Sequence, residues 1–293
     1  MLGRLGTYVP YAWRFAALRS ADPFICGIAI TDRCNLSCRS CHVSNTGMGD
    51  MKFAEVVARM RSAYRRGCRE AYFTGGEPML WRDGDLTVEN LIDEARRIGY
   101  FHVHVYTNGT LGLDCSADLV WVSMDGLPDV YATRRGDHFA VVERNVRALP
   151  HPKAAIIYVI DRFTEAGIEP FLRWVRSARL PVIGVMVYFH TPYYGIDELF
   201  LPAEERAPIL DRLLALKREG LPLLNSQAGL KALKTGDWPR RMPVALVSDA
   251  AGESVCCRAA DSVCPDCGYG ACTELSETQR LRPSAVLGMV RYW

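Results

Sequence analysis

The chain has 293 residues with 49% apolar, 23% charged and 10% aromatic side chains, a composition that excludes global disorder and collagen-like repeats. Thirty-five basic residues against 33 acidic ones give a net charge of +2, too balanced for an obligatory nucleic-acid partner. No apolar run approaches the roughly 18–20 residues of a bilayer span, and the N-terminus shows no secretory leader, so a cytoplasmic protein is expected.

In chain order, residues 1–24 carry three arginines and one acid, with Tyr11, Phe15 and Leu18 on one helical face. Two readings stand for this segment: a helix that caps the fold, or a shallow contact with a membrane surface through residues 1–20. From Ile25 to Phe189, short apolar segments alternate with amphipathic ones. Strands are expected at 25–30, 70–73, 101–106, 119–123, 154–160 and 181–189. Helices are expected between them at 52–67, 86–99, 137–149 and 164–178. In the first helix Phe53, Val56, Val57, Met60 and Tyr64 form one stripe that stops at Gly67. Apolar strands separated by helices form a parallel sheet covered by those helices, and right-handed crossovers curl it into a partial or full barrel. The site of such a fold lies in the loops at the C-terminal strand ends. Beyond a boundary near 195 come a helix at 203–220 and a hairpin that turns at Asp249–Gly252.

The chain holds 11 cysteines, eight of them in two tight groups. Cys34, Cys38 and Cys41 follow the first strand directly, and Cys256, Cys257, Cys264, Cys267 and Cys272 lie near the C-terminus. In a reducing compartment such groups point to metal or redox chemistry. Three thiolates on one short loop bind three corners of an iron–sulfur cube and leave one iron open. A zinc site completed by His42 is the alternative, but adjacent Cys41 and His42 are poorly placed to reach one ion.

The Cys34-x3-Cys38-x2-Cys41 loop after the first strand of a βα series resembles that of the radical S-adenosylmethionine (SAM) superfamily. The likeness continues in order, with Thr74-Gly75-Gly76-Glu77-Pro78 after the second strand, Thr107-Asn108-Gly109 after the third and Ser123-Met124-Asp125-Gly126 after the fourth. It implies an α/β fold, a partial (βα)6 barrel over 25–195, preceded by a helical cap at 1–24 and followed by a small Cys-rich extension at 196–293. It also implies a 4Fe–4S cluster on Cys34, Cys38 and Cys41. SAM would be held by Gly75, Gly76, Glu77, Pro78, Asn108, Ser123 and Asp125, with the Glu77 carboxylate on the SAM ammonium. Gly184 would offer backbone near the adenine. Ser40 stands where the family often has an aromatic residue, so His42 becomes a candidate for adenine packing. The implied chemistry is reductive cleavage of SAM to methionine and a 5′-deoxyadenosyl radical, fed by a reductant such as ferredoxin or flavodoxin.

The C-terminal cysteines resemble the tails that carry an auxiliary 4Fe–4S cluster. Cys257, Cys264, Cys267 and Cys272 form the expected set, with Cys256 competing for the place of Cys257 and a structural zinc as the alternative metal. Cys26, Cys68 and Cys115 read as small buried residues, and His102 and His104 as structural. His190, Tyr193 and Tyr194 follow the last barrel strand and are candidates to line the substrate pocket. Two substrate classes are carried forward: a peptide or small metabolite, and an isoprenoid or lipid. The latter is suggested by a likeness of 197–202, 216–220 and 224–226 to the tail of adenosylhopane synthase-like proteins. The contrasting class is a non-catalytic iron–sulfur electron carrier or a zinc-stabilised binding protein.

Overall fold

The first strand sets the architecture. β1 (Ile25–Thr31) buries six of its seven residues, so both of its faces must be covered. The computed structural model, which describes residues 22–39, 41, 43–149, 154–257 and 261–289, supplies both covers. The expectations for residues 1–21 and for His42 fall outside the described residues.

β1, β2 (Glu70–Gly75), β3 (His102–Thr107), β4 (Leu119–Ser123), β5 (Ala154–Ile160) and β6 (Val182–Phe189) lie side by side in sequence order, all parallel. Five helices form the outer layer between these strands: α1 (Phe53–Arg65), α2 (Val88–Ile98), α3 (Pro128–Arg135), α4 (Phe139–Arg147) and α5 (Ile168–Ala178). Val56 and Met60 of α1, Leu91 and Ile92 of α2 and Phe171 and Leu172 of α5 belong to the large core on that side. The inner face of the sheet carries a smaller cluster that includes Leu119, Trp121, Ile157, Met186 and Tyr188. The result is a partial α/β barrel.

The C-terminal part joins the same sheet. α6 (Ala203–Arg218) and α7 (Gln227–Thr235) lead into β7 (Ala245–Asp249), which pairs parallel with β1, and β8 (Gly252–Val255) closes the hairpin antiparallel to β7. α8 (Gly270–Gln279) and α9 (Pro283–Met289) follow. The sequence pattern shows the hairpin but not its place on β1. It also does not show α8, whose buried residues include Thr273, Glu274, Ser276 and Glu277 and so leave no apolar stripe.

The cysteine-bearing segment before α8 lies against the end of β6. The Gly268 amide donates to Thr191 Oγ1 at 2.9 Å, and Phe189 N donates to the Gly268 carbonyl at 2.8 Å. A Cβ at Gly268 would stand 2.2 Å from the Phe189 carbonyl oxygen, so only glycine permits the approach. Arg206 of α6 is buried and donates to the carbonyls of Leu201, His190, Asp266 and Cys267. One guanidinium thereby ties α6, the end of β6 and the cysteine segment together. Arg206→Leu leaves these carbonyls without their donor and is expected to lower stability by about 2–4 kcal/mol, read from urea unfolding.

Candidate active site

All the strand-end motifs meet at the C-terminal edge of the barrel, and the packing there is backbone on backbone. Gly75 has φ +141°, and a Cβ on it would lie 2.0 Å from the Thr31 carbonyl oxygen. A Cβ on Gly76 would lie 2.2 Å from the Arg33 carbonyl oxygen. The amides of Gly76 and Glu77 donate to those two carbonyls at 2.8 Å. The paired glycines thus let the loop after β2 lie directly on the chain that leads into Cys34.

The cysteine loop is folded from within by polar side chains. The buried Asp32 carboxylate accepts from Thr46 Oγ1 and from the amides of Met48 and Gly49, at 2.8–2.9 Å. These hydrogen bonds outweigh burial and hold its pKa below the ordinary carboxylate value. Asn45 Oδ1 accepts from the Cys34 amide at 2.9 Å. Asp50 accepts from Thr31 Oγ1 and Arg33, which closes the return of the loop onto β1. Cys41 N donates to the Cys38 carbonyl at 3.1 Å, which closes a turn between the last two cysteines.

Glu77 takes a place that the sequence pattern does not reveal. The side chain, whose carboxylate the resemblance assigns to the ammonium of SAM, is fully buried. Oε1 accepts from Thr107 Oγ1 at 2.8 Å and from Met79 N at 3.1 Å, and Oε2 accepts from Asn108 N at 2.7 Å. Burial pushes its pKa up despite these donors. In this geometry Glu77 joins the ends of β2 and β3, and Pro78 is buried at the start of the short turn beside it. Asn108 carries the chain of contacts onward. Its Nδ2 donates to Asn35 Oδ1 at 2.9 Å and lies 3.7 Å from Cys34 Sγ.

Ser123 ends β4, and Asp125 beyond it is fully buried. Asp125 Oδ1 accepts from Val159 N at 2.7 Å and Oδ2 from Arg135 Nε at 2.6 Å. Arg134 reaches Asp161 at 2.6 Å, and its carbonyl accepts from the Arg39 amide at 2.8 Å. Burial raises the Cys38 thiol pKa, while the charge of Arg135 works in the opposite direction. Arg134, Arg135 and Asp161 are absent from the sequence-based site. Their signal is a pair of arginines in the last turn of the helix after the Ser123–Asp125 motif.

Cys38, Cys41, Arg134 and Arg135 line a cavity of about 210 Å³ together with His190, Tyr193 and Tyr194. His190 Nε2 pairs with Asp197 Oδ2 at 2.9 Å, and burial lowers its pKa against the pull of that carboxylate. A second cavity, of about 380 Å³, fills the barrel interior and is lined by Cys256, Cys257, Cys267 and Cys272, but not by Cys264. Cys256 Sγ stands 4.0 Å from Cys272 Sγ. Tyr188, Tyr193 and Tyr269 border both cavities, and the hydroxyls of Tyr193 and Tyr269 meet.

The sequence model of the Radical SAM superfamily matches residues 28–190, more than half of the chain. The chain belongs to the radical SAM superfamily. It is a radical SAM enzyme, and the family brings with it a 4Fe–4S cluster and SAM. A GTP 3′,8-cyclase of Syntrophomonas wolfei is 29% identical over 72% of this chain and 69% of its own length. A probable GTP 3′,8-cyclase of Methanothermobacter thermautotrophicus is 23% identical over 66% of this chain, and the match spans only 57% of that relative. Among solved structures, native anSMEcpe with bound AdoMet and Kp18Cys peptide superposes over 92% of this chain and 84% of its own, with a TM-score of 0.63 at 17% identity. Streptococcus suis SuiB bound to precursor peptide SuiA covers 93% of this chain and 67% of its own, with a TM-score of 0.63 at 13% identity. These structures share the fold.

The buried position of Glu77 gives a direct test. Glu77→Gln replaces one acceptor oxygen by an amide that must face a backbone N–H or the Thr107 hydroxyl. Stability without any ligand is expected to fall by roughly 1–3 kcal/mol, seen as a lower melting temperature. A carboxylate serving only SAM would leave the unliganded melting temperature unchanged.

Proposed function

We propose that Cys34, Cys38 and Cys41 hold the 4Fe–4S cluster that cleaves SAM, and that the C-terminal cysteines hold a second, auxiliary cluster. The observation that carries the first assignment is the cysteine loop itself. It follows β1 and is packed on Gly75 and Gly76, and two of its thiols open on one cavity with Arg134, Arg135 and His190. Three soft thiolates on one loop suit three irons of a cube and leave the fourth for an exogenous ligand. When bound, the cluster supplies the electron that splits SAM into methionine and a 5′-deoxyadenosyl radical. Gly75 and Gly76 offer a close backbone approach for the cofactor with Pro78 buried behind them, and Asn108 steadies the loop at Cys34. The Arg134–Arg135–Asp125 network sets the charge beside Cys38. His190, Tyr193 and Tyr194 border the cavity beside Cys38 and Cys41 in which SAM and the target atom would meet, and Ser123 stands at the end of β4. A one-electron reductant such as ferredoxin or flavodoxin completes the system.

For the tail, the contact of Cys256 with Cys272 supports Cys256 as well as Cys257 as the partner of Cys264, Cys267 and Cys272. A structural zinc closes itself off behind four ligands, whereas four of these thiols line a chamber in the barrel. That exposure favours an iron–sulfur cluster facing substrate. The relatives' substrate, GTP, the peptides of the solved structures, and the lipid reading are separate candidates for what enters the chamber. Among the described residues no helix is long and apolar enough to cross a membrane.

Anaerobically reconstituted protein tests both assignments. Replacing Cys34, Cys38 and Cys41 by Ala is expected to remove one cube's worth of iron and all release of 5′-deoxyadenosine, while a cluster of four-thiolate character persists. Unchanged iron content contradicts the first assignment, and retention of zinc alone contradicts the second.

A further inference from the structure

Two arginines grip one short turn of the tail. Arg206 of α6 donates to the carbonyls of Asp266 at 3.0 Å and Cys267 at 3.4 Å. Arg240, from the stretch between α7 and β7, donates through Nε to the carbonyl of Cys264 at 2.9 Å. The turn Cys264-Pro265-Asp266-Cys267 carries two of the tail thiols, so each end of it is met by a guanidinium. A neutral amide or hydroxyl holds a carbonyl as well, and a fixed cation at each end brings charge in addition.

The charge of Arg206 has no matching anion in contact. The side chain is buried, with 7% of its surface exposed. Its other donors go to the carbonyls of Leu201 and His190, and the rings of Phe189 and Phe200 stand 5.4 and 5.0 Å from its centre. Among the described residues no carboxylate comes within ion-pair distance, and that of Asp266 acts on it from farther off. Burial pulls the Arg206 pKa down, while Asp266 and the Cys267 sulfur pull it back up. A buried cation held by carbonyls alone is costly, and an anion beside it offsets that cost. Arg240 is half-buried over the Trp238 ring at 3.7 Å, and among the described residues it too has no carboxylate in contact. Burial pushes the Cys267 thiol up to about 11, and the charge of Arg240 opposes that rise. Both arginines therefore act on the same sulfur, one that lines the chamber with Cys256, Cys257 and Cys272.

We propose that Arg206 and Arg240 are the charge partners of an iron–sulfur cluster on the tail cysteines and raise its reduction potential. The proposal rests on the tail-cluster assignment above. Thiolate ligation gives such a cluster a net negative charge, and its reduction adds one electron with no bond made or broken. A cation beside a ligand sulfur stabilises the reduced state more than the oxidised one, and the low dielectric around buried Arg206 enlarges the difference. Arg206 carries the larger share and Arg240, nearer to water, the smaller. The same charges suit a zinc–thiolate site, which takes up no electron, so the reduction potential is the property that tests the role.

The test uses the full chain with Cys34, Cys38 and Cys41 replaced by Ala, so that only the tail contributes a signal. Anaerobically reconstituted protein is analysed for iron and sulfide, poised at graded potentials with dithionite and redox mediators, and read by electron paramagnetic resonance. Arg206→Gln keeps a donor for the carbonyls and removes the charge. It is expected to lower the ratio of reduced to oxidised cluster at a fixed potential about tenfold, a midpoint 59 mV lower for one electron. Arg206→Lys, which keeps the charge, should recover most of that shift, and Arg240→Gln should move the midpoint the same way by less. A midpoint that is unchanged or higher in the Gln variants, or an Arg206→Lys midpoint as low as that of Arg206→Gln, overturns the proposal and leaves the cluster assignment standing. A tail that holds no iron–sulfur cluster in the parent protein overturns both. If Arg206→Gln does not fold, the direction of the Arg240→Gln shift decides.

Discussion

The candidate site depends on one buried carboxyl group and the two glycines before it. Gly75 and Gly76 bring the end of β2 onto the backbone that leads into Cys34, at a separation no Cβ would allow. Glu77 then turns inward and gathers Thr107, Asn108 and Met79. Neighbouring parallel strands have no tight turn between them, so their ends are otherwise fixed only through helices some distance away. The carboxyl fixes them locally. Asn108, positioned by Glu77, meets Asn35 and the Cys34 sulfur, so the cysteine loop inherits its place from β2 and β3 as well as from β1.

The tail completes the interior. β7 extends the sheet beyond β1, while Gly268, Gly270 and Arg206 hold the cysteine segment against the end of β6. The two cysteine groups consequently face neighbouring cavities that share a border of tyrosines. Tyr269 is set between the two packed glycines, whereas Tyr193 lies on a loop with exposed Tyr194 and Ile196.

Much of this was legible in the residues. The six apolar strands follow from periodicity, because parallel strands buried on both faces leave a strong pattern, and the motifs at their ends follow from the family resemblance. The three-cysteine loop was legible because thiols at that spacing have few other uses. The hydrogen bonds of Glu77 to Thr107, Asn108 and Met79 were not, since a Gly-Gly-Glu-Pro stretch carries no record of partners on another strand. The pairing of Arg134 with Asp161 and of Arg135 with Asp125 was also hidden, because buried ion pairs between different elements leave no periodic signal. The docking of β7 on β1 joins segments more than 200 residues apart, and nothing in a local pattern encodes it.

The central claim is that the Cys34, Cys38 and Cys41 loop holds a cluster with one iron open to SAM. Electron paramagnetic resonance of the reduced protein measures this most directly, in a variant with Cys256, Cys257, Cys264, Cys267 and Cys272 replaced by Ala. The account predicts a single reduced 4Fe–4S signal whose g values shift when SAM is added. A variant that holds no cluster, or a signal indifferent to SAM, would contradict it.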